Sequence, residues 1–398
     1  MNGLAEHFPL LSTQEAIVEA NRCLFCYDAP CMHACPTHID IPGFIRKIGT
    51  GNLAGSARTI LDANLLGATC ARVCPVEELC EGACVLGAEH RPIRIGRLQR
   101  YAMKHARPIA VAATTGRRVA VVGSGPAGLS CAGELARRGH AVTVFEKREL
   151  PGGLSTYGII TLREPVDAAL EEAKMIEGLG VRIETGRELG RDLSLDELCR
   201  EFDAVFLGIG LGATPAMGIE GEELILDGLA YIEESKLNPA GMRVGRQVVV
   251  IGAGNTAVDC ATVAKRLGAE RVTILYRRTE ADMSCYPHEY EFIKREGVEF
   301  RFRAQPVAVT LDRVRCAGGF EIPADQVVKA IGQVKNEAWG LATERGYIRV
   351  NGDLETSVDG VFAGGDCIRA KGAASTVMAV QDGKLAAEAI HRRITNHG

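Results

Sequence analysis

Apolar residues recur at helical spacing near the start of the chain, in Ala16-Ile17 to Ala20 and again in Phe44-Ile45 to Ile48. That periodicity predicts a helical region over residues 1–106. The segment RPIAVAATTG (107–116) loses the pattern and reads as a linker ending at Gly116. The run RRVAVV (117–122) then predicts a strand, followed by a glycine loop, a helix through Arg138 and a second strand, AVTVFE, ending in Glu146. The same order returns as QVVVI (247–251), a glycine loop, a helix through Leu267, and RVTILY ending at Tyr276. A last short strand, Val361 to Ala363, opens into a glycine turn, and a helix is predicted over Ser375 to Ile390. Strands alternating with helices across glycine turns place the chain in the α/β class.

Each glycine loop lies between a strand and a helix, which gives a common fingerprint its weight. Gly123-Ser124-Gly125-Pro126-Ala127-Gly128 and Gly252-Ala253-Gly254-Asn255-Thr256-Ala257 both allow backbone N–H groups to approach a pyrophosphate at the positive end of a helix. Glu146 ends the second strand of the first unit, where a carboxylate accepts from ribose hydroxyls and repels a 2′-phosphate. This unit suits the adenosine half of FAD. The corresponding strand of the second unit ends in Tyr276-Arg277-Arg278. Guanidinium forks match phosphate oxygens, so NADP(H) is favoured there, with NAD(H) as the other possibility. Gly365-Asp366 fits a group that holds ribityl hydroxyls, and the helix starting at Ser375 and Thr376 points its N-terminus toward a flavin edge. Gly153 and Leu154 offer a loop for the flavin, and Lys147 and Arg163 complete the candidate cofactor set. No catalytic acid or base is assigned: hydride transfer to a flavin requires orientation above all.

Of the 14 cysteines, eight form two runs, Cys23-x2-Cys26-x4-Cys31-x3-Cys35-Pro and Cys70-x3-Cys74-Pro-x4-Cys80-x3-Cys84. Thiolates at such spacing converge on soft metal centres, and a Cys-Pro dipeptide closing a run is a habit of iron–sulfur ligation. Two structural zinc sites and a disulfide framework are the alternatives. Zinc knuckles rarely precede flavin loops, and nothing in the chain reads as secreted. The nicotinamide-type unit has no C-x-x-C, so a redox-active dithiol is not expected there.

Composition narrows the classes further. The 398 residues, 46 of them glycine, fit two or three α/β domains, and a net charge of −4 gives no basic footprint for nucleic acid. The opening MNGLAEHFPLLSTQEAIVEANRC lacks a basic-then-apolar leader pattern, and no apolar stretch is long enough for a bilayer. A cytoplasmic protein without a membrane partner is expected.

Taken together, the cysteine runs, Gly123 to Gly128, Gly-Gly-Leu at 152–154, the Gly-x-Gly-x-x-Ala loop, Tyr-Arg-Arg at 276–278 and Gly-Gly-Asp at 364–366 resemble one group. It comprises the N-terminal half of dihydropyrimidine dehydrogenase, its stand-alone bacterial subunit and the small subunit of glutamate synthase. The resemblance implies a helical domain over 1–106 with two 4Fe–4S clusters, an FAD domain over 117–239 and 335–398, and an NAD(P)H domain over 240–334 inserted in it. It implies crossed ligation, with Cys23, Cys26, Cys31 and Cys84 on one cluster and Cys35, Cys74 and Cys80 on the other. Gln99 is the implied last ligand, leaving Cys70 as a non-ligand. The implied enzyme is an FAD-dependent NAD(P)H oxidoreductase subunit feeding electrons to a catalytic partner that carries FMN and further clusters, in a hetero-oligomer that reduces pyrimidines. Glutamate synthase small subunit is the rival of the same chemistry. A diaphorase with a zinc-bound docking module is the rival of another class.

Overall fold

Five parallel strands form the first sheet, in the spatial order Val361–Ala363, Ala204–Leu207, Arg118–Val122, Ala141–Glu146, Arg182–Thr185. The molecule, a computed structural model, is described over residues 4–369 and 375–396. Val119, Ala120 and Val121 are fully buried, as an apolar run covered on both faces requires. Helices Pro126–Arg137 and Thr376–Asn396 pack together beside this sheet, and Ser130 Oγ donates to the Val380 carbonyl at 2.8 Å. Strand order reverses between Arg118–Val122 and Ala204–Leu207. The glycine turn after Val122 therefore lies at the switch point where open α/β sheets bind ligands.

The second sheet repeats the plan with five parallel strands, ordered Ile225–Asp227, Gln326–Lys329, Gln247–Ile251, Arg271–Tyr276, Glu299–Phe302. Its reversal falls between Gln247–Ile251 and Gln326–Lys329, beside the second glycine loop. A three-stranded antiparallel sheet, Pro306–Val309, Arg313–Cys316 and Glu321–Pro323, follows it in the chain.

The chain divides into two compact units. One holds Phe8–Thr156, Asp167–Gly210 and the chain from Lys335 onward; the other holds Tyr157–Val166, Leu211–Val334 and the segment ending at His7. Three expected assignments differ from this division, the first being segment Tyr157–Val166, assigned above to the domain over 117–239 and found in the other unit. Strand Ile225–Asp227 and helix Gly228–Leu237, assigned above to the domain over 117–239, belong to the second sheet and its unit, because Ile225 to Asp227 pair with Val327 to Lys329. The first residues do not all join the helical region either. Leu4 is buried in the core of the nicotinamide-type unit, the His7 N–H donates to the Leu162 carbonyl at 2.7 Å, and its ring meets Phe292 edge-on.

The helical region holds Thr13–Ala20, Pro30–His33, Ile41–Gly49, Leu53–Ala63, Gly67–Val73 and Ile95–Met103, and the long stretches 21–40 and 74–94 carry all of the paired-run cysteines except Cys70. Phe44, Ile45 and Ile48 are fully buried, and so are Ala16 and Ala20, so both periodic stretches mark a core face, with Ile17, 38% exposed, lying off it. Gly67–Val73 carries Cys70 and has no side-chain cap of its own. Its start is held from the first sheet's domain, where the buried Glu172 carboxylate of helix Val166–Glu177 accepts from Ala68 N at 2.7 Å and Thr69 N at 3.0 Å. A carboxylate at a helix N-terminus satisfies free donors and complements the dipole. Glu172→Ala leaves those amides without it and is expected to cost about 2–3 kcal/mol, with Glu172→Gln recovering part. Urea unfolding of the three proteins checks this, and coincident midpoints would refute it.

Candidate functional site

Gly123 through Gly128 form the turn from strand Arg118–Val122 into helix Pro126–Arg137. Gly123 has φ +95°, and a Cβ there would stand 2.4 Å from the Gly208 carbonyl oxygen, so only glycine makes this turn. Glu146 is buried beside it. The Ser124 N–H at 2.9 Å and hydroxyl at 2.6 Å both donate to Oε2 of Glu146, and the Arg148 N–H donates to Oε1 at 2.8 Å. The carboxylate is thereby aimed, with acceptor capacity remaining on Oε1. The Ser124 hydroxyl accepts from Gly152 N at 3.1 Å, which ties the Gly-Gly-Leu loop to the first turn. A Cβ on Gly153 would lie 2.7 Å from the Gly125 Cα, so these two backbones touch only as glycines. Lys147 and Leu154 are exposed beside this site.

Opposite the first turn, Asp382 of helix Thr376–Asn396 is buried, accepts the Gly365 N–H at 2.9 Å and pairs with Arg369. Burial, with the Asp382 charge nearby, pushes Asp366 above the ordinary carboxylate range. Its backbone carbonyl accepts from the Ile368 and Arg369 N–H groups, while its carboxylate takes no hydrogen bond among the described residues. Ser375 accepts the Met378 N–H at 3.3 Å as the helix begins, and Thr376 is half-buried.

In the second unit, Gly252 to Thr256 turn from strand Gln247–Ile251 into helix Asn255–Arg266. Residues beyond the sequence reading brace this loop: Ser284 N donates to Ala253 O at 3.1 Å, and Tyr286 N to the Asn255 side-chain oxygen at 3.0 Å. Tyr286 and His288 stack at 5.8 Å where helix Pro287–Arg295 starts. Arg277 and Arg278 are exposed at the end of strand Arg271–Tyr276, with no carboxylate paired to either among the described residues. Arg163 is placed differently from its assignment to the cofactor set. Its guanidinium pairs with Asp259 and, at 2.6 Å, with Glu289, inside the nicotinamide-type unit. Burial raises Asp259 to about 7 even against that guanidinium, and burial lowers the nearby Lys236 to about 8. This ionic cluster holds segment Tyr157–Val166 and leaves Arg163 little to offer a phosphate.

The cysteines ring two cavities. Cys23, Cys26, Cys31 and Cys84 line the first, otherwise walled mainly by apolar groups such as Ile41, Ile45 and Ile93. Cys35, Cys70, Cys74, Cys80 and Gln99 line the second, with Thr37, Asn64 and Val377. Cys84 thus lies with the first run and Cys35 with the second. Burial and the neighbouring thiols Cys23 and Cys84 push Cys31 up to about 11. The hydrogen bond with Cys70, then burial, raises Cys74, and burial raises Cys80. Such a set ionises together only around a cationic centre, which fits iron–thiolate chemistry. Among the described residues no three His, Cys, Asp or Glu side chains are gathered to hold one metal ion.

Two family models match the chain in succession. The model of the pyridine nucleotide-disulphide oxidoreductase family matches residues 117–383, and that of dihydropyrimidine dehydrogenase domain II, 4Fe-4S cluster, matches residues 2–110. The NAD-dependent dihydropyrimidine dehydrogenase subunit PreT of Escherichia coli (strain K12) is 35% identical, covering 98% of this chain and 97% of its own. The glutamate synthase (NADPH) small chain of the same organism is 32% identical, covering 97% and 93%. Thioredoxin reductase of Lactococcus lactis shares the dinucleotide-binding fold, with a TM-score of 0.58 and 22% identity over 70% of this chain and 99% of that one. Among the described residues no helix is long and apolar enough to cross a membrane.

Proposed function

Because the chain belongs to the pyridine nucleotide-disulphide oxidoreductase family and carries ahead of that fold a 4Fe–4S domain of the dihydropyrimidine dehydrogenase type, we propose that it is the electron-input subunit of a dihydropyrimidine dehydrogenase. Its class as an NAD(P)-dependent, FAD- and iron–sulfur-containing oxidoreductase follows from the family. When bound, the flavin accepts a hydride from the nicotinamide, and each 4Fe–4S cluster carries one electron onward. The protein's part is placement. Glu146, held by Ser124, and Asp366 offer acceptors for hydroxyls, and the loop over Gly252 to Thr256 offers amides for a pyrophosphate.

One observation carries the reading. Val377, in the first turn of the helix whose Asp382 accepts the Gly365 N–H of the flavin-type turn, also lines the second cysteine cavity. That cavity packs against the first sheet's core through Cys70, Cys74 and Leu79. The first cavity is lined by the exposed Leu24 and Val85, which suits it to pass electrons outward. The proposed order is flavin, second cluster, first cluster, partner. Clusters carry no protons, so reducing a carbon–carbon double bond calls for a partner chain with FMN and clusters of its own.

Gln99 supports the pyrimidine reading. Its Nε2 donates to Gly67 O at 2.8 Å, which leaves the amide oxygen for the second cavity. The exposed Arg277 and Arg278 favour NADPH and give the glutamate synthase reading its one specific support. The purified protein should hold about eight irons, two clusters' worth, and reduce ferricyanide with NAD(P)H. It should turn over neither uracil nor 2-oxoglutarate with glutamine until a partner is added. An FMN-bearing partner that restores uracil reduction supports the proposal; uracil turnover by the isolated chain overturns it.

A further inference from the structure

Three buried polar residues form a hydrogen-bonded chain that ends on one cysteine of the second cavity. The Leu66 N–H donates to Asn64 Oδ1 at 2.9 Å. Since that bond fixes the carbonyl end of the amide, Nδ2 faces the other way, and it lies 3.5 Å from Thr37 Oγ1 as a donor. Thr37 Oγ1 lies 3.4 Å from Cys35 Sγ. Thr37 is fully buried and Asn64 is 1% exposed, and both line the cavity with Cys35, Cys74 and Cys80. A hydroxyl has one proton to give. With its oxygen accepting from Asn64, Thr37 directs that proton at the sulfur, and a thiolate at Cys35 can only accept.

We propose that Thr37 is a positioning residue that sets the reduction potential of the second cluster through its hydroxyl's hydrogen bond to Cys35 Sγ, with Asn64 fixing the direction of that bond. The inference rests on the reading that the second cavity holds a cluster. One added electron increases negative charge on the cysteine sulfurs, so a donor aimed at one of them stabilises the reduced form and raises the potential. In the first cavity no side-chain hydroxyl or amide is among the lining residues, and Cys23 there meets only the backbone N–H of Phe25. The chain of donors therefore separates the two sites in the sense that favours accepting an electron at the second cavity, the one beside Val377.

Redox titration of the holoprotein, followed by electron paramagnetic resonance, tests this. Thr37→Val keeps the shape and removes the donor. It should retain the iron content, move one couple to lower potential and leave the other unmoved. At a fixed poise, the oxidised-to-reduced ratio of that cluster should rise about fivefold, the effect of one net hydrogen bond. Thr37→Ser should restore the native value, and an exchangeable deuteron coupled to the reduced cluster should vanish in Thr37→Val alone. If Thr37→Val does not retain the cluster, Asn64→Leu reads the same bond by freeing the hydroxyl to turn away, with a smaller shift of the same sign. Unshifted couples in a cluster-loaded Thr37→Val or Asn64→Leu protein overturn the proposal. Iron for only one cluster in the native protein would instead overturn the two-cluster reading.

Discussion

Cys84→Ala should remove the same cluster as Cys23→Ala, although the two positions belong to different cysteine runs. Both line the first cavity, with Cys26 and Cys31, so losing either thiolate opens the same site. Iron should fall from about eight to about four per chain in each variant, and in the double variant it should fall no further. Electron delivery to the partner should drop to background. Ferricyanide reduction by NAD(P)H should stay within about twofold, because the glycine loops, Glu146 and Asp366 are untouched. Cys35→Ala should act alike on the second cluster. The fourth position there separates Gln99 from Cys70. Cys70 is 2% exposed, packs into the first sheet's core and hydrogen-bonds Cys74, whereas the Gln99 amide is anchored at its nitrogen end. Gln99→Ala should therefore lose the second cluster and Cys70→Ala keep it. The reverse pattern would overturn the ligand assignment.

Sequence showed most clearly what is local. Strand, glycine loop and helix are contiguous in each unit, so both turns, Glu146 and the Arg277-Arg278 pair were legible from order alone. Long-range pairing was not. Nothing in the spacing of the second cysteine run says that Cys84 turns toward the first run while Cys74 and Cys80 face Cys35; that arrangement came only from resemblance. Arg163 read as a free cation because Asp259 and Glu289 lie 96 and 126 residues away. The strand Ile225–Asp227 is too short for alternation to register, which is why the boundary near 239 missed its place in the second sheet. The last helix runs past Ile390 to Asn396, with Ile394 buried, since no breaker interrupts HRRITN. The donor chain from Asn64 to Thr37 spans 27 residues and two helices, so neither residue stood out as a candidate.

The protein should prefer NADPH to NADH by at least about tenfold in kcat/KM, with ferricyanide as acceptor so that no partner is needed. The first unit ends its second strand in Glu146, whose carboxylate is buried and held by Ser124 and Arg148; the second ends the matching strand in exposed Arg277 and Arg278. The loop beyond these arginines is braced chiefly by other groups, with Arg278 adding a weaker charge attraction to Asp282. Tyr276 Oη donates to Asp282 O at 2.7 Å, and Thr279 donates to the Asp282 carboxylate from its N–H at 3.1 Å and its hydroxyl at 2.6 Å. Removing a guanidinium should thus leave the loop in place. Each charge-assisted contact to a 2′-phosphate contributes about 1.5–3 kcal/mol, so Arg277→Ala and Arg278→Ala should each lower kcat/KM for NADPH by about tenfold or more. The NADH value should barely move, because that nucleotide has no phosphate to lose contact with. Added salt should weaken the NADPH preference of the native protein, as exposed charge contacts are screened. Equal or better kcat/KM with NADH would overturn the assignment of these arginines and align the chain with the NAD-dependent relative instead.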